Sequence, residues 1–282
     1  MNSENAKHKP SECPCCGGKE FSLAHIYSSR PDGETVFEGL NTEDYHREIW
    51  SCDCCGHFLS IHDIDLDNLY SGQYIDSTYG DLDAVKKKCE SILALPFENS
   101  DNAARVQRVI AFAKQHFANK NKEEIRILDV GSGLGVFLAA IKDQTDWVCT
   151  ALEPDDRYAE HARVNLEIEA VAEDYRKIDW DREFDIIAIN KVLEHIEDPL
   201  SVLKRSCEDL SEDGFMYIEL PDGEVASSHG FGREEFFLEH HHVFSMASME
   251  LLCKNAGLQT QSYERLHEPS TKFTLVNFSV NK

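Results

Sequence analysis

The chain has little positive charge. Its 282 residues carry 28 Lys and Arg against 52 Asp and Glu, a formal net charge of −24 at pH 7. An average field of that sign repels phosphate backbones and anionic lipid surfaces, which makes long nucleic acids and membranes poor partners. Long apolar runs are also missing. No stretch approaches the roughly 18 apolar residues of a membrane span, and the opening MNSENAKHKP lacks the apolar core of a secretion signal. These absences predict a cytoplasmic chain. The spacing expected of a small disulfide-stapled protein is absent too: six of the ten cysteines fall in two tight clusters. Metal binding is the better reading of them. The length and a hydrophobic content of 41% suit one large packed domain and one small module.

The clusters are CPCCGG at residues 13–18 and CDCCGH at residues 52–57. Each contains C-x-x-C followed by glycine. Two intervening residues let both thiolates face one ion while backbone N–H groups point at sulfur, and the glycine permits the turn back. Two such turns complete a tetrahedral site, predicting a structural zinc held by Cys13, Cys16, Cys52 and Cys55. Cys15, Cys54 and His57 are then bystanders. Residues 1–62 read as a zinc-ribbon-like module, with strands at 21–27 and 45–50 around a polar loop. Redox catalysis fits less well, because there are two copies and neither lies in a βαβ context.

Residues 63–100 read as an acidic, tyrosine-rich connector followed by helix, with Tyr70, Tyr74 and Tyr79 packing between modules. From 102 to 117 apolar residues recur at helical spacing behind a Ser100 or Asp101 cap. The segment ILDVGSGLG at residues 127–135 then reads as a buried strand entering a glycine turn, with helix after it. Gly131, Gly133 and Gly135 alternate, so a ligand can approach the backbone without meeting a Cβ. A dinucleotide fingerprint needs a further glycine where Val136 stands, and Asp129 would repel a pyrophosphate while suiting an ammonium group. The pattern favours S-adenosylmethionine (SAM) over NAD. About twenty residues on, Glu153 closes the next strand, where a doubly wound fold places a carboxylate for the ribose hydroxyls. The fourth strand, 184–189, delivers Asn190 and Lys191 to the carboxyl edge of the sheet, where such folds bind their ligands.

The segment resembles motif I of the class I SAM-dependent methyltransferases. That resemblance implies an α/β fold with a doubly wound, seven-stranded Rossmann-like sheet over residues 101–282, closed by a helix and two strands. It also implies an acid at the end of the third strand, Asp174 in preference to the adjacent Glu173, as the acceptor for the adenine amino group. The string VLEHIEDP at residues 192–199 is similar to one found widely in small-molecule methyltransferases and sets Glu194 and His195 beside the expected methyl donor. His195 has the intrinsic pKa of a general base near neutrality. The segment 221–244, rich in glycine, charge and aromatics, reads as an acceptor lid. Its His240, His241 and His242 offer a base or, with Glu194 and His195, ligands for a divalent ion; His241 joins Glu194 and His195 as a catalytic candidate. With its cysteine pairs, the chain resembles bacterial sugar- and polysaccharide-modifying methyltransferases. The implied acceptor is an oxygen or carbon of a sugar, nucleotide sugar or glycan. A zinc-ribbon RNA methyltransferase and a non-catalytic SAM-binding scaffold are the competing readings, and the acidic charge opposes the first.

Overall fold

The computed structural model describes residues 8–34, 45–64, 82–118 and 124–282. Tyr70, Tyr74 and Tyr79 lie outside them. Strands β1 (Phe21–Tyr27), β2 (Arg47–Cys52) and β3 (Phe58–Ile61) form an antiparallel meander whose register, Phe21 opposite Cys52 and Ser51 opposite Phe58, brings the two cysteine turns to one end. Helix α1 (Leu82–Leu93) precedes α2 (Asp101–His116), where the Ser100 side chain accepts from the Ala103 N–H as N-cap.

The larger sheet grows from β4 (Arg126–Val130), whose Ile127, Leu128 and Val130 are buried. Helix α3 (Val136–Gln144) follows, then β5 (Val148–Leu152), α4 (Asp156–Asn165), β6 (Glu169–Val171), β7 (Phe184–Asn190), α5 (Pro199–Asp209) and β8 (Leu210–Pro221). Next come α6 (Gly223–Ser228), β9 (His242–Val243), α7 (Met246–Ala256), β10 (Leu258–His267) and β11 (Phe273–Asn281). Seven strands pair in the order β10-β11-β8-β7-β4-β5-β6. The contacts from β6 to β8 are parallel, and β11 runs antiparallel to both its neighbours.

Alternation along each strand builds two cores, because successive side chains face opposite sides of a sheet. Leu128, Val130, Ile187, Ile189 and Met216 pack on one face with α5 and α7. Ile127, Ile186, Ala188 and Phe215 pack on the other with α2, α3 and α4. The first core runs on into Phe21, Trp50 and Leu59 of the cysteine-bearing meander. The meander is itself completed by the chain's later half: β9 pairs antiparallel with β3, Phe58 opposite Val243 and Leu59 opposite His242. The segment read as a lid is therefore a packed one. It contributes a short helix, a strand and the buried Phe236, Leu238, Val243 and Phe244, because burying those side chains against β3 outweighs leaving them in a loose loop. No helix among the described residues is long and apolar enough to cross a membrane.

Candidate functional site

The glycine turn after β4 is held by Gly131 and Ser132, whose N–H groups donate to the Leu152 carbonyl at 2.8 and 3.1 Å. Gly131, Gly133 and Gly135 have φ of 70°, 49° and 68°, the left-handed region that glycine adopts without cost. Their roles differ. A Cβ would stand 2.6 Å from Val192 Cγ2 at Gly131 and 2.6 Å from Leu166 Cδ1 at Gly135, so those two serve close packing; at Gly133 it would meet nothing within 4 Å. The middle glycine is thus the one that faces open space.

Two carboxylates frame that space. Glu153 at the end of β5 accepts from the Gly133 N–H at 2.9 Å and the Asp155 N–H at 3.1 Å, and burial raises its pKa. Asp129 is buried, accepts from Asn190 Nδ2 at 2.8 Å, and burial pushes its pKa up to about 7. Asn190 thereby spends one amide hydrogen on orienting Asp129. Lys191 follows with φ of 56°, unusual for a side chain with a Cβ, its N–H donating to the Glu219 carbonyl at 3.0 Å. Asp174 caps a short 3₁₀ turn, accepting from the Arg176 N–H at 2.9 Å and pairing with that guanidinium at 2.6 Å, which lowers its pKa.

At the carboxyl edge of β7, Glu194, His195 and His240 bring one donor atom each to within 4.8 Å of one another. The two rings meet edge to face, centroids 4.7 Å apart. Each Nδ1 lies against a backbone carbonyl, His195 on Glu239 at 2.9 Å and His240 on Glu235 at 2.8 Å. A carbonyl only accepts, so each Nδ1 carries the proton and each Nε2 keeps its lone pair. Burial lowers both histidines, His195 to about 4, and both are neutral at pH 7. Burial also raises Glu194 to about 8, and its Oε2 has no hydrogen-bond partner. Two imidazoles and a carboxylate are a possible metal donor set. Lys191, whose own pKa burial lowers, and Lys272, paired with Glu234 at 3.1 Å, lie near enough to bear on Glu194.

His241 stands apart from this cluster. Its N–H donates to the Glu194 carbonyl at 2.8 Å while its ring faces His62 at 6.5 Å. His240 is the lid histidine beside His195. His242 points elsewhere again, with Nδ1 3.1 Å from His57 Nε2 and Nε2 3.2 Å from the Glu197 carbonyl. Three consecutive side chains cannot all face one point, and sequence gave no means of choosing among them. His57, read as a bystander, is fully buried in this contact.

A charged network unseen in the sequence lies beside the cluster. Glu219 on β8 pairs with Arg105 at 2.6 Å and Arg108 at 3.0 Å, both from α2, and accepts from the Tyr217 hydroxyl. Burial alone would raise the Glu219 carboxyl, but Arg105 holds it down at about 2. The signal was an Arg pair one helical turn apart, R-x-x-R at 105–108, facing a lone acid inside an apolar strand.

The cysteine turns are built alike. The Gly17 and Gly56 N–H groups donate to the Cys13 and Cys52 carbonyls at 2.8 Å each, with φ of 71° and 70°, and the Gly18 N–H points at Cys16 Sγ at 3.3 Å. The four sulfurs of Cys13, Cys16, Cys52 and Cys55 lie within 4.8 Å of one another, an all-thiol donor set around one centre. Cys54 is exposed and Cys15 is buried outside the set. The arrangement is consistent with a small zinc module.

A seven-stranded sheet with β11 antiparallel, and a glycine turn at its first strand, define a class I SAM-dependent methyltransferase domain. A family model described as a methyltransferase domain matches residues 102–263, more than half of the sequence, and the chain belongs to that family. Among solved structures it is similar to the 1,6-didemethyltoxoflavin-N1-methyltransferase of Burkholderia thailandensis, with bound 1,6-didemethyltoxoflavin and S-adenosylhomocysteine. That match has 18% identity and a TM-score of 0.56, and covers 90% of this chain and 100% of that one. The magnesium protoporphyrin IX methyltransferase of Synechocystis PCC 6803, with bound S-adenosylhomocysteine, matches at 11% identity and a TM-score of 0.55, covering 77% and 100%. Likeness at these identities shows the fold. A ubiquinone biosynthesis O-methyltransferase of Glaesserella parasuis serovar 5 (strain SH0165) is 34% identical over 104 residues, 33% of this chain and 44% of that enzyme. The chain thus matches less than half the length of this curated relative.

Proposed function

We propose that the chain is a cytoplasmic enzyme that methylates an oxygen, or a carbon, of a small sugar-containing acceptor such as a nucleotide sugar. The observation that carries this reading is the Glu194, His195 and His240 cluster at the carboxyl edge of β7. SAM, when bound, supplies a methyl group on a sulfonium that is already a good leaving group. The protein's part is alignment and removal of the acceptor's proton.

In this reading Gly131, Gly133 and Gly135 form the cofactor cradle, with open space at Gly133 for the ligand's approach. Asp129 faces the cationic amino group, Glu153 the ribose hydroxyls and Asp174 the adenine, while Asn190 and Lys191 complete the wall. His195 Nε2 accepts the acceptor's proton. Glu194 lies beside it, and the lid histidine orients the acceptor. Cys13, Cys16, Cys52 and Cys55 hold a structural Zn²⁺. Incubation with labelled SAM and a panel of nucleotide sugars tests the acceptor class. Label entering a nucleotide sugar supports the reading, and label entering only amine or RNA acceptors overturns it.

A further inference from the structure

The cysteine cluster and the histidine cluster are joined by a short run of contacts. In the second cysteine turn, Cys52 and His57 are bonded through the backbone, the Cys52 N–H donating to the His57 carbonyl at 2.8 Å. The His57 ring meets His242 at 3.1 Å, in a buried contact between residues 185 positions apart. His242 reaches the Glu197 carbonyl, and the neighbouring His241 N–H donates to Glu194. Ser60 N–H donates to the His241 carbonyl at 3.0 Å, and the Ser245 hydroxyl donates to the Cys55 carbonyl. The stretch from 241 to 245 is therefore fastened on one side to the cysteine turn and on the other to the loop bearing Glu194 and His195.

A second fastening lies just upstream. Arg47 on β2 and Glu34 form a fully buried ion pair at 2.9 Å. Arg47 donates to the Phe236 carbonyl, and Glu34 accepts from the Leu238 N–H at 2.7 Å. His240 lies between these two anchored stretches. Among the described residues, the ring that meets His195 is thus carried by a segment fastened to the cysteine module through Glu34, Ser60 and His57, and to the larger domain through Glu194, Glu197, Pro221 and Gly223.

We infer that the cysteine module positions the catalytic histidines: the second cysteine turn, through His57 and His242, holds the 238–244 segment so that His240 sits against His195. His57 and His242 are positioning residues. The inference rests on the four cysteines holding a metal and on the assignment of the site above. With the metal in place the turn is rigid and His57 is fixed. With the metal removed the 238–244 segment loses the anchor that His57 provides, while the glycine turn between β4 and α3, whose bonds run to Leu152 and Glu153, keeps its form.

Amide hydrogen exchange on the full chain tests this without needing the acceptor. Zinc is measured by elemental analysis, then removed with a strong chelator. The expected result is exchange about tenfold faster or more in peptides covering 238–244, the scale of one lost buried hydrogen bond, with no change in peptides covering 127–135 and SAM affinity retained. His242→Ala keeps its zinc and shows the same faster exchange. His57→Ala does likewise, and the double variant is no worse than either single one, because the two rings act as one contact. SAM affinity reports that each variant is folded, and His242→Gln, which keeps a donor and an acceptor, restores part of the protection. With a working acceptor, the variants raise KM more than they lower kcat. Unchanged exchange at 238–244 after metal removal, a folded metal-free chain with full protection there, or additive effects of the two substitutions would each overturn the inference. Failure to find an acceptor would leave the exchange result standing, so the two readings fail separately.

Discussion

His195 and His240 face each other edge to face with ring centroids 4.7 Å apart, one from the end of β7 and the other from the segment that closes over it. The backbone carbonyls of Glu239 and Glu235 lock both rings in the tautomer that leaves Nε2 bare. The pair therefore offers two proton acceptors at a sheet edge that also carries the buried carboxyl group of Glu194.

The glycine turn gives the first prediction. Gly133→Val fills the open space in front of the turn and should abolish SAM binding in a chain that still folds. Gly131→Ala drives a methyl into Val192 Cγ2, 2.6 Å away, and should lower stability instead. Calorimetric titration with thermal melting separates the two, and SAM binding by the Gly133 variant would contradict the assignment.

Asp129 predicts a proton effect. Burial raises its pKa to about 7, so in the free protein it is largely protonated below that pH. A cationic group placed beside it favours the carboxylate and lowers that pKa, so SAM binding releases a proton and tightens as pH rises toward 7. Titrations in two buffers of different ionisation enthalpy measure the release. Asp129→Asn should abolish it, and no release in the wild type would show that the ligand's charge lies elsewhere.

The network around Glu219 predicts stability. Glu219→Gln takes the nearest counter-charge from the half-buried Arg105 and Arg108, leaving Arg108 with Glu268 at 3.8 Å, and should cost about 3 kcal/mol. The sign of the pH effect follows from the depressed value of about 2. The contribution is complete above the ordinary glutamate range near about 4.3 and is lost as pH falls from there toward the folded-state value. Denaturant melts of wild type and variant should therefore converge as pH falls from 5 toward 2, and a constant difference over that window would contradict the assignment.

The cysteine turns predict one zinc per chain. Cys16→Ser and Cys55→Ser should lose the metal and unfold the first module, since ligation supplies about 10 kcal/mol or more of such a module's folding energy. Cys54→Ser, at an exposed position outside the four-sulfur set, should keep it. Full zinc in the Cys16 and Cys55 variants would refute the ligand choice.

Local features of this chain were readable from sequence, and contacts between distant segments were not. The two cysteine turns, the glycine turn with Asp129, and the helix cap at Ser100 depend on residues a few positions apart, so spacing alone reveals their geometry. The two strands after residue 257 were implied by the resemblance to the methyltransferase pattern. The choice of His240 over His241 depends on how the segment is pinned to Glu34, Arg47 and His57, which no periodicity encodes. The pairing of β9 with β3 was hidden for the same reason, as was the meeting of Arg105 and Glu219, which are 114 positions apart. An insertion that departs from the βα rhythm signalled that something was built there, without revealing what it packed against.

Substitution of His195 tests the central claim most directly. Burial holds its pKa at about 4, so the ring is neutral and able to accept a proton throughout the neutral range. His195→Ala should leave SAM affinity nearly unchanged and lower kcat by about 10² or more, the usual contribution of a positioned base. The wild-type acid limb should fall below pH 5, under the ordinary histidine range. A His195→Ala enzyme that turns over a hydroxyl acceptor at close to the wild-type rate from pH 6 to 9 would contradict the account.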